Sequence, residues 1–507
     1  MKPCKEFTSR LKTAKSWRSA AEPFIKEALK YCCPGREGDF NYHAGDIHEG
    51  ESEVFISIAE DMATDLAGDL VNYYTPAEAK WGEFLVTMEI SEDEAEGVLA
   101  KVQEREDDLF EMISSSNYND IAPQWAFEAA SHGTTALWVQ QAHLQQPIHC
   151  EVVPPHQLFI TPGHLGYLDR FREVYVLSSS LPALFSGWDV DLKDDNIQTK
   201  IKTPGDRSKV VWGFWVDWSD PAIPKWYCEI TVNEKRVTPE KPLDLGPIAG
   251  TCPLIIGRFN PQVSKPWGRG PGWKSLPDLR IMDDLAEIIL SGLDQSLMNT
   301  IIYPDDGFLD LSEGLEAGRA YPAHRGFTRD QIYDMSRNVN VDQGYYTEDR
   351  MEAKIARAFY QDGPRQSGDT PPTATQWLDE RRRVQQRLGK PSAPLWSEFI
   401  LPLIQRFEFL AVQSGKISEA ITHQGQAITV MPISPLQKAQ NQDKVMVTRS
   451  NLDLGFSIFQ ERVGEIFDMK STMKAVIKAS GDQLTVIKED EPETPPAPPA
   501  ASPAGAM

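Results

Sequence analysis

Apolar residues recur every three to four positions along much of the chain, but between residues 136 and 259 that rhythm gives way to alternation. The helical period predicts helices over 24–31, over 54–73, where Phe55, Ile58, Met62, Leu66 and Leu70 share a face, and over 92–114. The alternating stretch is rich in Val, Ile, Tyr and Trp and predicts strands over 135–142, 157–161, 172–177, 210–218 and 226–237. Helices followed by a block of strands describe an α+β lobe. Trp212, Trp215, Trp218 and Trp226 stand in or beside two of those strands. Lys225 alone stands among them, not the interleaved Lys and Arg that single-strand binding requires, so they are expected to fill a sheet core.

After the strands comes a glycine-rich turn containing Trp267, Gly268, Arg269 and Gly270, and it runs directly into a long helix ending near Thr300. Ser275 and Asp278 read as a capping box, Pro277 suits a first turn, and Met282, Leu285, Ile289, Leu293 and Leu297 recur at helical spacing. At 1.5 Å per residue such a rod reaches about 38 Å. Its other flank carries Asp283, Asp284, Glu287 and Asp294, with Arg280 as its guanidinium. Taken alone, this is an ordinary core helix with a solvated face.

Residues 301–346 mix Gly, Pro, Asp and Arg with short apolar runs and read as a small loop-and-strand module. A second helix is expected over 348–361, with Met351, Ile355, Ala358 and Phe359 on one face, followed by a loop too rich in Gly and Pro to be helical. Thr373 and Gln376 form another capping box, opening a helix through Arg381, Arg382, Arg383 and Arg387. Gly389, Pro391 and Pro394 interrupt its pattern, so two helices or a sharp kink are expected before 396–413. Residues 436–480 return to helical spacing. The end, acidic and then proline-rich, cannot bury enough apolar area to fold.

Composition narrows the function classes. At 507 residues the chain exceeds a single hydrophobic core, which suggests two to four domains. With 51 Lys and Arg against 74 Asp and Glu, its net charge of -23 argues against gripping phosphate and suits a wall along which a duplex slides. No apolar signal segment or membrane span is visible, and no membrane partner is expected. The six cysteines have no CxxC spacing and are expected to be reduced thiols made in a cytoplasm.

Gly268 to Ser275 superficially resembles a phosphate-cradling loop, yet only three residues separate Gly268 from Gly272 and Trp273 precedes Lys274. The nine histidines include no HExxH, and no GxSxG is present. No catalytic residue, metal site or cofactor is nominated.

Several segments, in order, resemble the portal proteins, or head-to-tail connectors, of short-tailed double-stranded DNA bacteriophages. They are Thr75 and Pro76 with Trp81, the stretch from His132 and Gly133 through Trp138, that from Val152 through Pro154 to Thr161, the Trp267 to Gly270 turn with its helix, Thr373 to Gln376, and Ile433 to Leu436 with Ala439 and Gln440. The resemblance implies an α+β, portal-type multidomain subunit of a ring, twelve-membered in that family. Its parts would be a wing over 1–265, a first stem helix with its turn over 266–300, a clip over 301–346 and a second stem helix over 347–361. A tunnel loop over 362–373, a long kinked helix returning to the wing over 374–434, a crown over 435–485 and a disordered tail over 486–507 would complete it.

The same resemblance makes Asp283, Glu287 and Asp294 channel-lining, gives Trp267, Gly268, Arg269 and Gly270 a structural role, and assigns DNA contact to Arg365, Gln366 and Ser367. The implied partners are double-stranded DNA passing through the channel, major capsid and scaffolding proteins, the terminase large subunit and tail adaptor proteins. The implied location is the portal vertex of a virion, after synthesis in a host cytoplasm. Two other readings stay open: a collar or minor capsid protein, and a nucleotide-binding enzyme using the 268–275 turn.

Overall fold

The first helix, α1 (Lys5–Cys32), begins far ahead of the stretch expected at 24–31 because much of its buried face is alanine. Ala14, Ala21 and Ala28 follow Phe7 at seven-residue intervals, a spacing that keeps one stripe inward without the bulk that marks an amphipathic helix. The Cys4 sulfur accepts from the Phe7 amide at 3.2 Å and caps the start. The computed structural model describes residues 3–41, 54–77, 80–82, 84–86, 92–141, 147–239, 241–297, 301–302, 333–334, 341–362, 374–418, 422–423, 426–427, 430–432, 445–454, 457–458, 471–473 and 476. The chain divides into two units, Met1–Pro432 and Ile433–Met507. In the second, the described residues 445–454 are helical.

In the first unit, α2 (Ile58–Tyr74) is followed by β1 (Phe84–Val86), α3 (Glu92–Ser114) and α4 (Tyr118–Ser131). The expected helix at 54–73 exists, but its buried stripe is Ala59, Ala63, Leu66, Ala67 and Leu70, while Phe55 before it is 47% exposed. Alanines let α2 and α4 approach closely, which decides the face. Strand β1 pairs antiparallel with Val430–Pro432, tying the end of this unit to its beginning.

Between Thr134 and Arg258 the strands form two sheets. β2 (Thr134–Gln140) lies between β3 (His149–Val152) and a later strand. β4 (Leu158–Pro162), β5 (Leu168–Leu177), β6 (Arg207–Asp217), β7 (Lys225–Val232) and β8 (Lys235–Arg236) run in order through an antiparallel sheet, with β9 (Leu243–Pro247) also on β7. The strand completing the smaller sheet is β10 (Leu254–Arg258), which pairs Ile256 with Ala136. The inner faces meet in one core, where Trp138, Leu254 and Ile256 pack with Trp212, Phe214 and Trp226. The outer face of the larger sheet takes α1, with Phe7 edge-on to Phe171 at 5.7 Å. Trp212, Trp215 and Trp226 are buried as expected, and Trp218 is partly covered beside His164.

Four more helices carry the rod and its return. Two short ones, α5 (Leu181–Leu184) and α6 (Asp195–Lys202), belong to the strand lobe; then come α7 (Pro271–Leu297), α8 (Val341–Ala358), α9 (Ala374–Leu395) and α10 (Leu401–Gln413). Helix α7 starts at Pro271, so Ser275 is no cap. Its hydroxyl instead donates to the Pro271 carbonyl at 2.7 Å inside the first turn, and Pro277 lies within the helix. Helix α8 begins at Val341, ahead of the expected 348 and inside the stretch assigned to the clip. The interruption expected at Gly389 to Pro394 falls later. Helix α9 runs through both prolines, and its register resets in a π turn at Trp396–Ile400 that leads directly into α10. Arg365, Gln366 and Ser367, most of the clip, much of the crown and the whole tail lie outside the described residues.

Candidate functional site

The root of the rod is where two sequence motifs far apart in the chain close on each other. Gly133 takes a positive φ of 93°, which turns the chain sharply between α4 and β2. Its amide donates to the Glu128 carbonyl at 3.1 Å, and its carbonyl accepts from the Phe259 amide at 2.8 Å. Phe259 in turn accepts from Arg269 N at 2.8 Å, and Gly268 N donates to Thr134 Oγ1 at 2.9 Å. The approach leaves no room for side chains. A Cβ on Gly268 would lie 1.9 Å from the Gly133 carbonyl oxygen, and one on Gly133 would lie 2.0 Å from the Gly270 amide nitrogen.

A buried charge cluster holds the same turn from behind. Glu128 and His132 are one helical turn apart, and the His132 Nε2 to Glu128 Oε2 distance is 2.7 Å. The Thr134 amide donates to His132 Nδ1 at 3.3 Å, so the proton sits on Nε2 and is donated to the carboxylate. Arg36 reaches the other carboxylate oxygen at 2.6 Å. Burial alone would raise the Glu128 pKa, but the hydrogen bond from His132 and the charge of Arg36 hold it below its ordinary value. Neither Glu128 nor Arg36 stood out in the sequence. The signal that would have found the pair is the Glu128 to His132 spacing just ahead of Gly133.

From this root α7 is pinned along its length. Trp267 is buried beneath the Arg18 guanidinium, 5.3 Å from its ring, and Trp273 stacks on Phe24 at 5.5 Å. Arg280 pairs with Glu27 of α1, and Lys354 of α8 with Asp278. Leu276, Leu279 and Met282 enter a core shared with Ile355 of α8 and with Phe359, which follows that helix. The apolar flank therefore has its partner within the chain.

The acidic flank is only partly what the sequence suggested. Glu287 and Asp284 are both exposed. Asp283 is a correction: it is 8% exposed, and its Oδ1 accepts from the Phe55 amide at 2.8 Å. A carboxylate committed to a backbone amide inside the subunit does not line a channel. The side chain of Asp294 lies outside what is described. Beside Asp284, Ile281 and Ile288 are 55% and 65% exposed and seven residues apart on one face, a second apolar stripe that the chain itself leaves uncovered. Asp283→Ala should lower stability by about 1–2 kcal/mol, and Glu287→Ala by less than about 0.5 kcal/mol, in thermal melts at matched pH. Equal effects would contradict the assignment.

Three amides of the turn are committed within the chain. Its Gly268 and Arg269 amides are already spent on Thr134 and Phe259, and Lys274 N closes the first helical turn on the Gly270 carbonyl at 2.9 Å.

The model of a family described as bacteriophage head to tail connecting protein matches residues 4–483. The chain belongs to that family. Membership places this connector protein among the structural, virion-associated components of the portal type. Two solved structures are similar to it: the virion of a native gene transfer agent particle, at 13% identity over 82% of this chain and 94% of that one, with a TM-score of 0.34, and the neck of an empty particle of the same kind computed with C6 symmetry, at 13% over 81% and 94%, with a TM-score of 0.33. Among curated proteins none matches. No helix among the connector's described residues is long and apolar enough to cross a membrane.

Proposed function

We propose that this connector is the repeating subunit of a closed ring at one capsid vertex, twelve-membered by resemblance, through which double-stranded DNA enters and leaves. The ring docks the terminase large subunit during packaging and tail adaptor proteins afterwards, with its wing against capsid and scaffolding proteins. The observation that carries this reading is the uncovered stripe of Ile281 and Ile288 beside Asp284 and Glu287 on a rod whose other side is already packed. Exposed apolar stripes on a rigid element require a covering surface, and a head-to-tail contact repeated around an axis closes into a ring. Glu287, Asp284 and Asp294 then carry the negative wall, while Arg365, Gln366 and Ser367 meet the duplex without holding it.

The test is assembly. Native mass spectrometry and negative-stain images of the purified connector should show closed rings with a central hole. In the Ile281→Lys, Ile288→Lys double variant the subunit should keep its melting temperature within about 2 °C while the ring fraction falls at least about tenfold. Particles without a hole in the unmodified protein would favour a collar or minor capsid component.

A further inference from the structure

A cavity of about 380 Å³ opens where the second half of α1, the 3-10 turn at Arg36–Asn41 and strands β4 and β5 meet, well separated in sequence from the rod. Arg18 forms part of its wall. That residue is only 3% exposed, its guanidinium lies between the Phe40 ring at 4.5 Å and the Trp267 ring at 5.3 Å, and its Nη1 has no hydrogen-bond acceptor. The nearest carboxylate oxygen, Glu22 Oε2, is 4.0 Å from Nε, too far for a hydrogen bond. A buried guanidinium nitrogen without an acceptor is costly to maintain, and evolution rarely leaves one unless something fills the place.

His156 supplies a second unanswered donor. Arg172 can only donate, and it reaches Gln157 Oε1 at 3.3 Å, which turns the amide nitrogen of Gln157 toward His156 Nε2 at 3.5 Å. His156 Nε2 is therefore the acceptor of the Gln157 amide proton. Burial, with Arg18 and Arg36 nearby, lowers the His156 pKa to about 4, so the ring is neutral and its one proton sits on Nδ1. Nδ1 has no hydrogen-bond partner and stands 3.9 Å from Asp39 Oδ2.

The carboxylates of Glu22 and Glu173 around the cavity already have cations. Lys26 meets Glu22 at 3.0 Å, and Lys15, at 2.9 Å, and Lys209 both meet Glu173. No carboxylate oxygen of the wall comes within hydrogen-bond distance of Arg18 Nη1 or His156 Nδ1. From these two unpartnered donors on one cavity wall we infer that it binds a carboxylate, one oxygen accepting from Arg18 Nη1 and the other from His156 Nδ1. The carboxylate belongs either to a small organic acid or to an Asp or Glu side chain of another polypeptide. Either source brings the missing charge to a guanidinium that also stacks on Trp267 at the root of the rod.

The full chain is titrated at constant ionic strength with sodium glutarate and, separately, with a blocked tetraglutamate peptide. The melting temperature and the ring nitrogen resonances of 15N-labelled His156 are followed. Saturable binding of at least one probe is expected, with a Kd on the order of 1 mM and a rise in melting temperature of about 2–4 °C. The His156 Nδ1 resonance moves along the same isotherm, and Arg18→Met weakens binding at least about tenfold. Tighter peptide binding assigns the site to a protein partner, and tighter glutarate binding to a small acid; both uphold it. The inference is overturned if neither probe saturates, if the His156 resonance stays still at saturation, or if Arg18→Met binds as well as the unmodified chain. The resonance is read in the unmodified protein, so this arm stands even if the variant disturbs α1.

Discussion

Gly268→Ala is expected to remove the folded connector almost entirely, with little soluble protein and a loss of at least about 4 kcal/mol in whatever fraction folds. The added carbon would sit 1.9 Å from the Gly133 carbonyl oxygen, and that oxygen is fixed by its bond to the Phe259 amide. Neither backbone can retreat: Gly268 N is tied to Thr134 Oγ1, and Gly133 N to the Glu128 carbonyl. Gly68→Ala is the matched control. Gly68 lies inside α2, and a Cβ added there would meet nothing within 4 Å, so this change should stabilise by about 0.5–1 kcal/mol. Soluble yield and melting temperature, measured side by side, decide between the two. Similar behaviour of both variants would show that the contact between the turns does not hold the rod's root.

Glu128→Gln should cost about 3 kcal/mol, because the amide turns an NH2 group toward either His132 Nε2 or Arg36, each of which can only donate there. The loss should also depend on pH, with a definite sign. The folded carboxylate is held below its ordinary value of 4.5, so its contribution is fully present above that pH and disappears as pH falls through the folded pKa. The gap between the unmodified protein and Glu128→Gln should therefore be constant above about pH 5 and narrow in acid below it. Denaturant melts at a series of pH values measure this directly. A gap that widens on acidification would mean Glu128 is not the ionised partner of the pair.

These two expectations rest on residues of very different visibility in the sequence. The glycine turn at Trp267 to Gly270 is plain from composition alone, and so is the rod after it, because helical periodicity is a local property that any window of two turns reveals. The strand lobe is equally legible, down to the burial of Trp212, Trp215 and Trp226. Much of helix α1 escapes the periodicity because alanine packs closely without raising the local hydrophobic contrast. The proline-bearing end of α9 differs from expectation because a π turn can reset the register further along.

What the sequence determined by itself is the order of elements, the alternation of strands and the existence of a rod with one greasy and one acidic side. What the tertiary structure alone decided is which groups face inward. Periodicity fixes angles around a helix axis but says nothing of what lies opposite. Only folding brought Phe55 over Asp283, spent the greasy side within the subunit and left Ile281 with Ile288 outside. Likewise, Gly133 and Gly268 are far apart along the chain, and no local pattern can announce that their backbones touch.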